Sequence, residues 1–272
     1  MKCFFAFIIF FYSPLYSHSN EEKDSTAYYS SLSSSSILTN NYKEGLLYTQ
    51  KAIRNAEINK NIKDQARQTF NLGKIYFDLK KYGDATEALL KSAALFSNFE
   101  PSPELSATYY HLGLCYMQKE NYNAAKIYFE RSEFINTKLR ITDIAELYNI
   151  QKGLIYISQN KVDEALYSFK TIIAKPENPA LTNTKAEASY QIGKIEASRN
   201  RYNLALNYLN NAFELNSKTK NLDQKSNILL ALSDVYEKAL DKKNAYFYNF
   251  FNFNFSLLRL SVYEKNSIIN QF

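Results

Sequence analysis

The chain has 272 residues, 46% of them hydrophobic, and a formal net charge of +6 from 33 basic and 27 acidic residues. Six glycines and five prolines are too few for the many tight turns of a sandwich or barrel, so long helices are the natural organisation. Basic and acidic residues are intermixed with no dense basic run, which argues against a nucleic-acid surface.

The N-terminus opens with Lys2 and Cys3, runs apolar from Phe4 to Tyr12, and reaches small residues at Ser17 and Ser19. One positive charge, a short apolar core and small residues after it have the form of a secretory signal peptide removed after Ser19. That core is too short to span a bilayer, and no later stretch is continuously apolar enough to do so. The expectation is an exported bacterial protein, periplasmic or secreted, with residues 1–19 as its leader. Cys3 precedes the apolar core, whereas lipid attachment needs a cysteine at its end. Without the leader one cysteine (Cys115) and one histidine (His111) remain, so no intramolecular disulfide can form.

From there the sequence repeats itself. Phe70-Asn71-Leu72-Gly73-Lys74-Ile75-Tyr76 is echoed by Tyr110-His111-Leu112-Gly113-Leu114-Cys115-Tyr116, by Ile150 to Tyr156 and by Tyr190 to Glu196, with glycines at 73, 113, 153 and 193. The same 40-residue step lands on Ser33 and Ser233 at either end, which makes about six units. Nine residues after each glycine stand Tyr82, Tyr122, Val162 and Tyr202, followed by Ala85, Ala125, Ala165 and Ala205, then by Leu89, Phe129, Phe169 and Leu209. The outer units keep part of this, as Tyr42, Gly45 and Thr49 and as Lys242, Ala245 and Asn249.

Two antiparallel helices explain the pattern. Gly or Ser on the first helix and Ala on the second let the backbones approach, while large residues at i, i+3, i+4 and i+7 fill the seam. A glycine in mid-helix costs about 1 kcal/mol against alanine, so its recurrence marks a packing need. Polar stretches near residues 80, 120, 160 and 200 supply the turn inside each pair, and Pro101, Pro103, Pro176 and Pro179 fall between pairs, where helices must stop.

This set of motifs resembles the tetratricopeptide repeat family along essentially the whole chain after the leader, and in particular the arrays of bacterial sensors and regulators. The period departs from the family's, 40 residues here against about 34, which implies second helices or connections longer by one to two turns. The resemblance implies an all-α, right-handed α-solenoid of about six helix-turn-helix repeats over residues 20–243. It also implies that the first helices line a concave face. Carried over residue by residue, that face holds Arg67, Phe70, Lys74 and Phe77, then Tyr110, Leu114 and Met117, then Ile150, Leu154 and Ile157, and finally Tyr190 and Lys194. An apolar middle flanked by cations suits an amphipathic helix or extended peptide with an acidic flank. The family's carboxylate-gripping variant uses Lys and Asn where this chain has apolar residues, so a C-terminal carboxylate clamp is not expected. The other reading of these side chains, Leu114 and Leu154 above all, is as core.

Residues 244–272 crowd Phe247, Phe250, Phe251, Phe253, Phe255, Leu257, Leu258 and Leu260 together with interspersed Asn and Arg, which makes a poor spanning helix. A long C-terminal helix capping the array is the expectation, with a homodimer contact or docking into a concave groove as the sharper reading.

Catalytic and metal chemistry find no purchase. Four of the six glycines belong to helix crossings, leaving no Gly-rich phosphate loop. One His and one Cys fall short of a zinc site. His111 and Cys115 stand one helical turn apart, but inside the crossing segment, which points to packing and not to a Cys-His dyad. Glu21-Glu22 and Asp163-Glu164 are charge pairs on ends or turns. The reading is a non-catalytic protein–protein interaction scaffold without cofactor or metal. The alternative is an extracytoplasmic sensory input module of a signalling system, working in trans or truncated from a larger receptor.

Overall fold

The computed structural model describes residues 25–141, 145–219 and 221–253, and for residues 145 and 146 the backbone alone. The described chain is an α-solenoid. Its helices are α1 (Thr26–Leu38), α2 (Tyr42–Ile58), α3 (Ile62–Asp78), α4 (Tyr82–Phe96), α5 (Pro103–Gln118), α6 (Tyr122–Leu139), α7 (Ala145–Ser158), α8 (Val162–Ile173), α9 (Thr182–Ser198), α10 (Tyr202–Ser217) and α11 (Leu222–Lys238). A further helix, α12, is described over residues 242–253. Odd and even helices pair as six hairpins, each stacked on the one before it. The expected leader, residues 1–19, lies outside the described residues.

Three residues join the helices of every hairpin, and their geometry recurs. The N–H of Asn40 donates to the Ile37 carbonyl and that of Asn41 to Ser36, closing the end of α1 in a Schellman motif. The same pair of bonds recurs at 80 and 81, 120 and 121, 160 and 161, 200 and 201, and 240 and 241. Asn40, Lys80, Glu120, Asn160, Asn200 and Leu240 are accordingly left-handed, with φ between 56° and 63°. Lys60 and Arg140 take the same conformation between hairpins. The period is thus a doubled 20-residue half-repeat of one helix and one left-handed turn. The extra length expected in second helices or connections is shared by both helices, since α2 and α3 each have 17 residues.

The residue after the left-handed one begins the next helix. Asn41, Asn61 and Asn121 accept the N–H three residues on through their side chains, as does Asp241 from Asn244, and Asn221 caps the start of α11 in the same way. Lys81, Lys161 and Arg201 occupy the same place without a side-chain cap. Prolines replace the left-handed turn at two connections: Pro103 starts α5 behind the cap of Ser102, and Pro179 opens a 3₁₀ turn, Pro179–Leu181, ahead of α9.

Inside each hairpin the backbones cross where the repeat places its small residues. A Cβ added to Gly73 or Gly193 would meet Leu89 or Leu209 at 2.6 and 2.7 Å, and on Gly113 or Gly153 it would meet Phe129 or Phe169 at 2.5 and 2.4 Å. Those four partners are fully buried. In the first hairpin the large residue is replaced by Thr49 and the glycine by Ser33, whose hydroxyls share a 2.6 Å hydrogen bond. In the last hairpin Ser233 donates to the Ala245 carbonyl at 2.9 Å. A second close approach lies at the far end of the pairs. There Ser92 donates to the Ala66 carbonyl, Ser106 bonds Ser132 and Asn136, Ala186 and Ala212 are both fully buried, and Ser226 bonds Asn252.

One expected boundary moves. The division between 243 and 244 falls inside α12, because Ala245 and Asn252 are buried against α11 and make α12 the second helix of the sixth hairpin. Residues 254–272 of the expected capping segment lie outside the described residues.

Candidate functional site

The residues expected to line a binding face stand on α3, α5, α7 and α9, three before, one after and four after the crossing glycine, with half-buried Arg67 six before it. The fold sorts them into three groups. Lys74 and Lys194 are exposed. Phe70, Phe77, Tyr110, Leu114, Met117, Leu154, Ile157 and Tyr190 are half-buried. Ile150 is buried and belongs to the core beneath α7 and α8.

The half-buried members bridge neighbouring hairpins. Phe70 meets the His111 ring of the next hairpin edge to face at 5.2 Å. Tyr110 lies 5.5 Å from the Phe129 ring, and its hydroxyl accepts a hydrogen bond from Gln151 Nε2 of the next hairpin at 3.2 Å. Burial pushes the Tyr110 hydroxyl above its ordinary pKa, so it stays neutral. Leu114 and Met117 pack on the cluster of Phe129, Tyr148 and Ile155, and Leu154 and Ile157 on that of Phe169 and Ile172. Part of each side chain holds hairpins together, and part faces outward.

The cations at the ends are anchored by aromatic rings. Lys74 Nζ stands 5.7 Å from the Phe70 ring centre, and Lys194 Nζ 5.3 Å from that of Tyr190. Arg67 is already engaged, since its guanidinium pairs with Asp64 at 2.8 Å and Glu104 at 3.5 Å. Its outward charge is largely answered.

Sequence reasoning did not find a polar ladder at the α9 end of the same surface. Gln191 Nε2 donates to Glu187 at 2.7 Å, and Gln224 Nε2 reaches the other Glu187 oxygen at 3.0 Å and the Asn183 carbonyl at 3.3 Å. Asn216 completes it by donating to Gln224 at 2.9 Å. A signal for it was present: Asn71, His111, Gln151 and Gln191 occupy one repeat position, two before the glycine, in four successive units. Away from this surface, a groove of about 580 Å³ is lined by Lys152, Tyr156, Asp163, Tyr167 and their neighbours. It opens in the fourth hairpin, where Lys152 and Ser168 stand at the positions of Leu112 and Tyr128 in the third.

His111 and Cys115 do not form a reactive pair. His111 Nδ1 donates to the Ala107 carbonyl at 2.9 Å, and burial, with a smaller contribution from Lys74, holds its pKa below the usual value. Burial pushes the Cys115 thiol up to about 11. Both groups are held neutral, opposite to the thiolate–imidazolium state a nucleophilic dyad needs. Among the described residues, no group of three or more His, Cys, Asp or Glu is placed to hold a metal ion. No described helix is long and apolar enough to cross a membrane.

Comparison with known proteins agrees with the repeat. Models of the tetratricopeptide repeat match residues 65–133 and residues 186–219. No curated protein matches the chain in sequence. Among solved structures, the apo form of the quorum sensor NprR from B. thuringiensis superposes with a TM-score of 0.68 at 13% identity, covering 85% of this chain and 64% of that one. The apo form of RapI gives 0.68 at 14% identity over 89% and 85% of the two chains. A Rap protein complexed with competence and sporulation factor gives 0.64 at 16% identity over 89% and 66%. This chain therefore spans just under two thirds of the length of NprR and of that Rap protein. At these identities the likeness is one of fold.

Proposed function

Because the chain is a tetratricopeptide repeat protein, we propose that it is a non-catalytic scaffold holding a peptide or helix of another protein against the first helices of its hairpins. One observation carries the reading. Leu114 and Leu154 stay half-open at the centre of the surface while Lys74 and Lys194, three repeats apart, stand exposed at its ends on aromatic rings. A partner with apolar anchors and acidic flanks complements that arrangement. Phe70, Phe77, Tyr110, Met117, Ile157 and Tyr190 would widen the apolar strip, Arg67 would act as a weaker flank, and Ile150 would support it from beneath.

Selection of random displayed peptides on the immobilised protein tests this. Apolar sequences with acidic flanks should be enriched, and Lys74→Glu with Lys194→Glu, both on exposed side chains, should reverse the preference to basic flanks. Unchanged enrichment on the double variant would move the site elsewhere.

Three further parts belong to the same proposal. The protein works outside the cytoplasm after loss of residues 1–19, the six hairpins through α12 form the binding unit, and the aromatic stretch that begins within α12 joins two copies in a homodimer. A sensory input role, the second reading, gains support from one fold relative, NprR, being a quorum sensor. Release of a bound peptide, and not permanent assembly, would distinguish it.

A further inference from the structure

We infer that the fourth hairpin carries a small-molecule site, a slot that takes a neutral phenolic ring flat against Tyr156. The site is separate from the peptide-binding face proposed above, and either can fail without the other.

The slot is the mould of a ring that other hairpins supply themselves. In the third hairpin Tyr116 of α5 stacks on Tyr128 of α6, ring centres 5.3 Å apart and planes 4° from parallel, and Tyr109 lies 6.1 Å from Tyr128. In the sixth, Tyr236 and Tyr248 at the same two positions stack at 5.4 Å and 7°. The fourth hairpin keeps the first ring as Tyr156 but puts Ser168 in place of the second and Asn149 in place of Tyr109. The helices keep their spacing despite the loss, because they already touch at Gly153 and the fully buried Phe169. What remains is the groove of about 580 Å³, with Tyr156, Ser168 and Asn149 in its lining. Its volume falls within the range of about 300–1,000 Å³ usual for small-ligand sites. The second hairpin shows the other outcome. It pairs Tyr76 with Ala88, and the space between them is only about 280 Å³, with Ile53 of the first hairpin in its lining.

The lining selects the kind of ring. Tyr156 offers an aromatic face, and stacked aromatic pairs gain more than the area they bury. Lys152 stands where other hairpins have Leu72, Leu112, Ile192 and Leu232, and its Nζ lies 6.0 Å from the centre of the Tyr156 ring. Its ammonium brings N–H donors that a hydrocarbon ring could not use. The Ser168 and Thr171 hydroxyls donate to the Glu164 and Ser168 carbonyls of their own helix, which leaves their oxygens able to accept. The charge of Lys152 is within reach of the Glu133 carboxyl of α6. At the rim, Lys175 is balanced by Glu164 and by Asp163, the latter paired with Arg199 at 2.8 Å. Charges of both signs give little net pull on an ion. A neutral ring whose oxygen both accepts and donates, a phenol, matches this set.

The test is titration of the full chain with para-cresol, the tyrosine side chain as a free molecule, followed through the ligand's proton resonances. Its saturated analogue methylcyclohexanol and the amino-acid form N-acetyltyrosinamide are titrated beside it. The expected result is saturable binding of the cresol, at least about tenfold tighter than that of the saturated analogue. Ser168→Tyr, which rebuilds the stack of the third hairpin, should weaken cresol binding by at least about tenfold with circular dichroism unchanged. Should that variant not fold, Tyr156→Leu, which keeps apolar bulk without the ring face, should give the same loss. Absence of saturable binding, equal affinity for cresol and its saturated analogue, or cresol binding that survives in the folded variant would overturn the site. Binding of N-acetyltyrosinamide without the free cresol would also overturn it, and would give the slot to a tyrosine of another protein.

Discussion

The ring of Phe129 occupies the space that a side chain on Gly113 would need, its Cε1 atom lying 2.5 Å from the position of an added Cβ. Neither helix can give way easily, because Phe129 is fully buried under Tyr110 and Tyr148. Gly113→Ala should therefore destabilise by up to about 2 kcal/mol, overpacking of roughly 1–3 kcal/mol set against the gain of about 1 kcal/mol in helix propensity. Gly83 supplies the control, since nothing lies within 4 Å of its added Cβ. There the same substitution should stabilise by up to about 1 kcal/mol. Urea unfolding of the two variants should give opposite signs.

The turns predict a gain. Lys81 and Lys161 begin α4 and α8 with no side-chain cap, while asparagine caps the equivalent starts of α2, α3, α6 and α11. The backbone geometry is already right, because the residue before each is left-handed as it is before α2, α3 and α6. Lys81→Asn and Lys161→Asn should each stabilise by about 0.5–2 kcal/mol. Lys80→Gly, relieving a left-handed side chain, should add roughly another 1 kcal/mol. Thermal unfolding of the single variants, each measured alone, checks all three.

These turns also show what the sequence made legible. The 40-residue step of the glycines gave the six hairpins and their crossing points, because a mid-helix glycine is costly enough to need a reason. The 20-residue half-step was hidden. Left-handed positions are filled by Asn, Lys, Glu, Arg and Leu, and only asparagine among these announces that conformation. The candidate face was legible as positions on helices, but how open each residue is depends on the next hairpin: Ile150 is buried where Tyr110 and Tyr190 are half-open. The ladder through Glu187 and Gln224 depends on packing between hairpins and could not be read along one helix.

Acid should weaken the fold through His111. Burial holds its folded pKa below the unfolded value of about 6.5, so below that pH the unfolded chain takes up a proton that the folded one resists. Stability from the neutral ring is present above about pH 6.5 and is lost as the pH falls. Asp78 and Glu133 act in the opposite sense at lower pH, since burial raises both carboxyls. Unfolding free energy should therefore decline between about pH 7.5 and 5.5 in the native sequence. The decline should flatten in His111→Asn, which places the residue of Asn71 at the equivalent position. An equal slope in both would exclude His111 as the source.

Cys115 should be inert while the protein is folded. Its side chain has no exposed surface, and its thiol is pushed up to about 11, so little thiolate exists at pH 8 and none of it meets solvent. After iodoacetamide treatment, mass spectrometry should find the Cys115 peptide unmodified in the folded protein and fully modified in urea. Appreciable labelling under native conditions would mean that α5 separates readily from α4.

Glu196 breaks the repeat at a position held by Tyr76, Tyr116, Tyr156 and Tyr236 in other hairpins. Its carboxylate is 3% exposed, and Oε2 lies 2.5 Å from Arg201 Nε, a contact of charge without good hydrogen-bond direction. Arg201 is also the uncapped start of α10. Arg201→Asn should supply a cap yet leave a buried carboxylate unanswered. Such a loss reaches about 3–5 kcal/mol for a fully buried pair and is smaller here because Arg201 is half in water. The net change should be destabilising, opposite in sign to Lys81→Asn. Glu196→Tyr alone should be neutral or stabilising, since it replaces a buried ion pair with the side chain that the neighbouring hairpins pack at that position. In that background Arg201→Asn should become stabilising. Chemical denaturation of the two single variants and the double one measures the reversal, and additivity of the single effects would show that the carboxylate does not depend on Arg201.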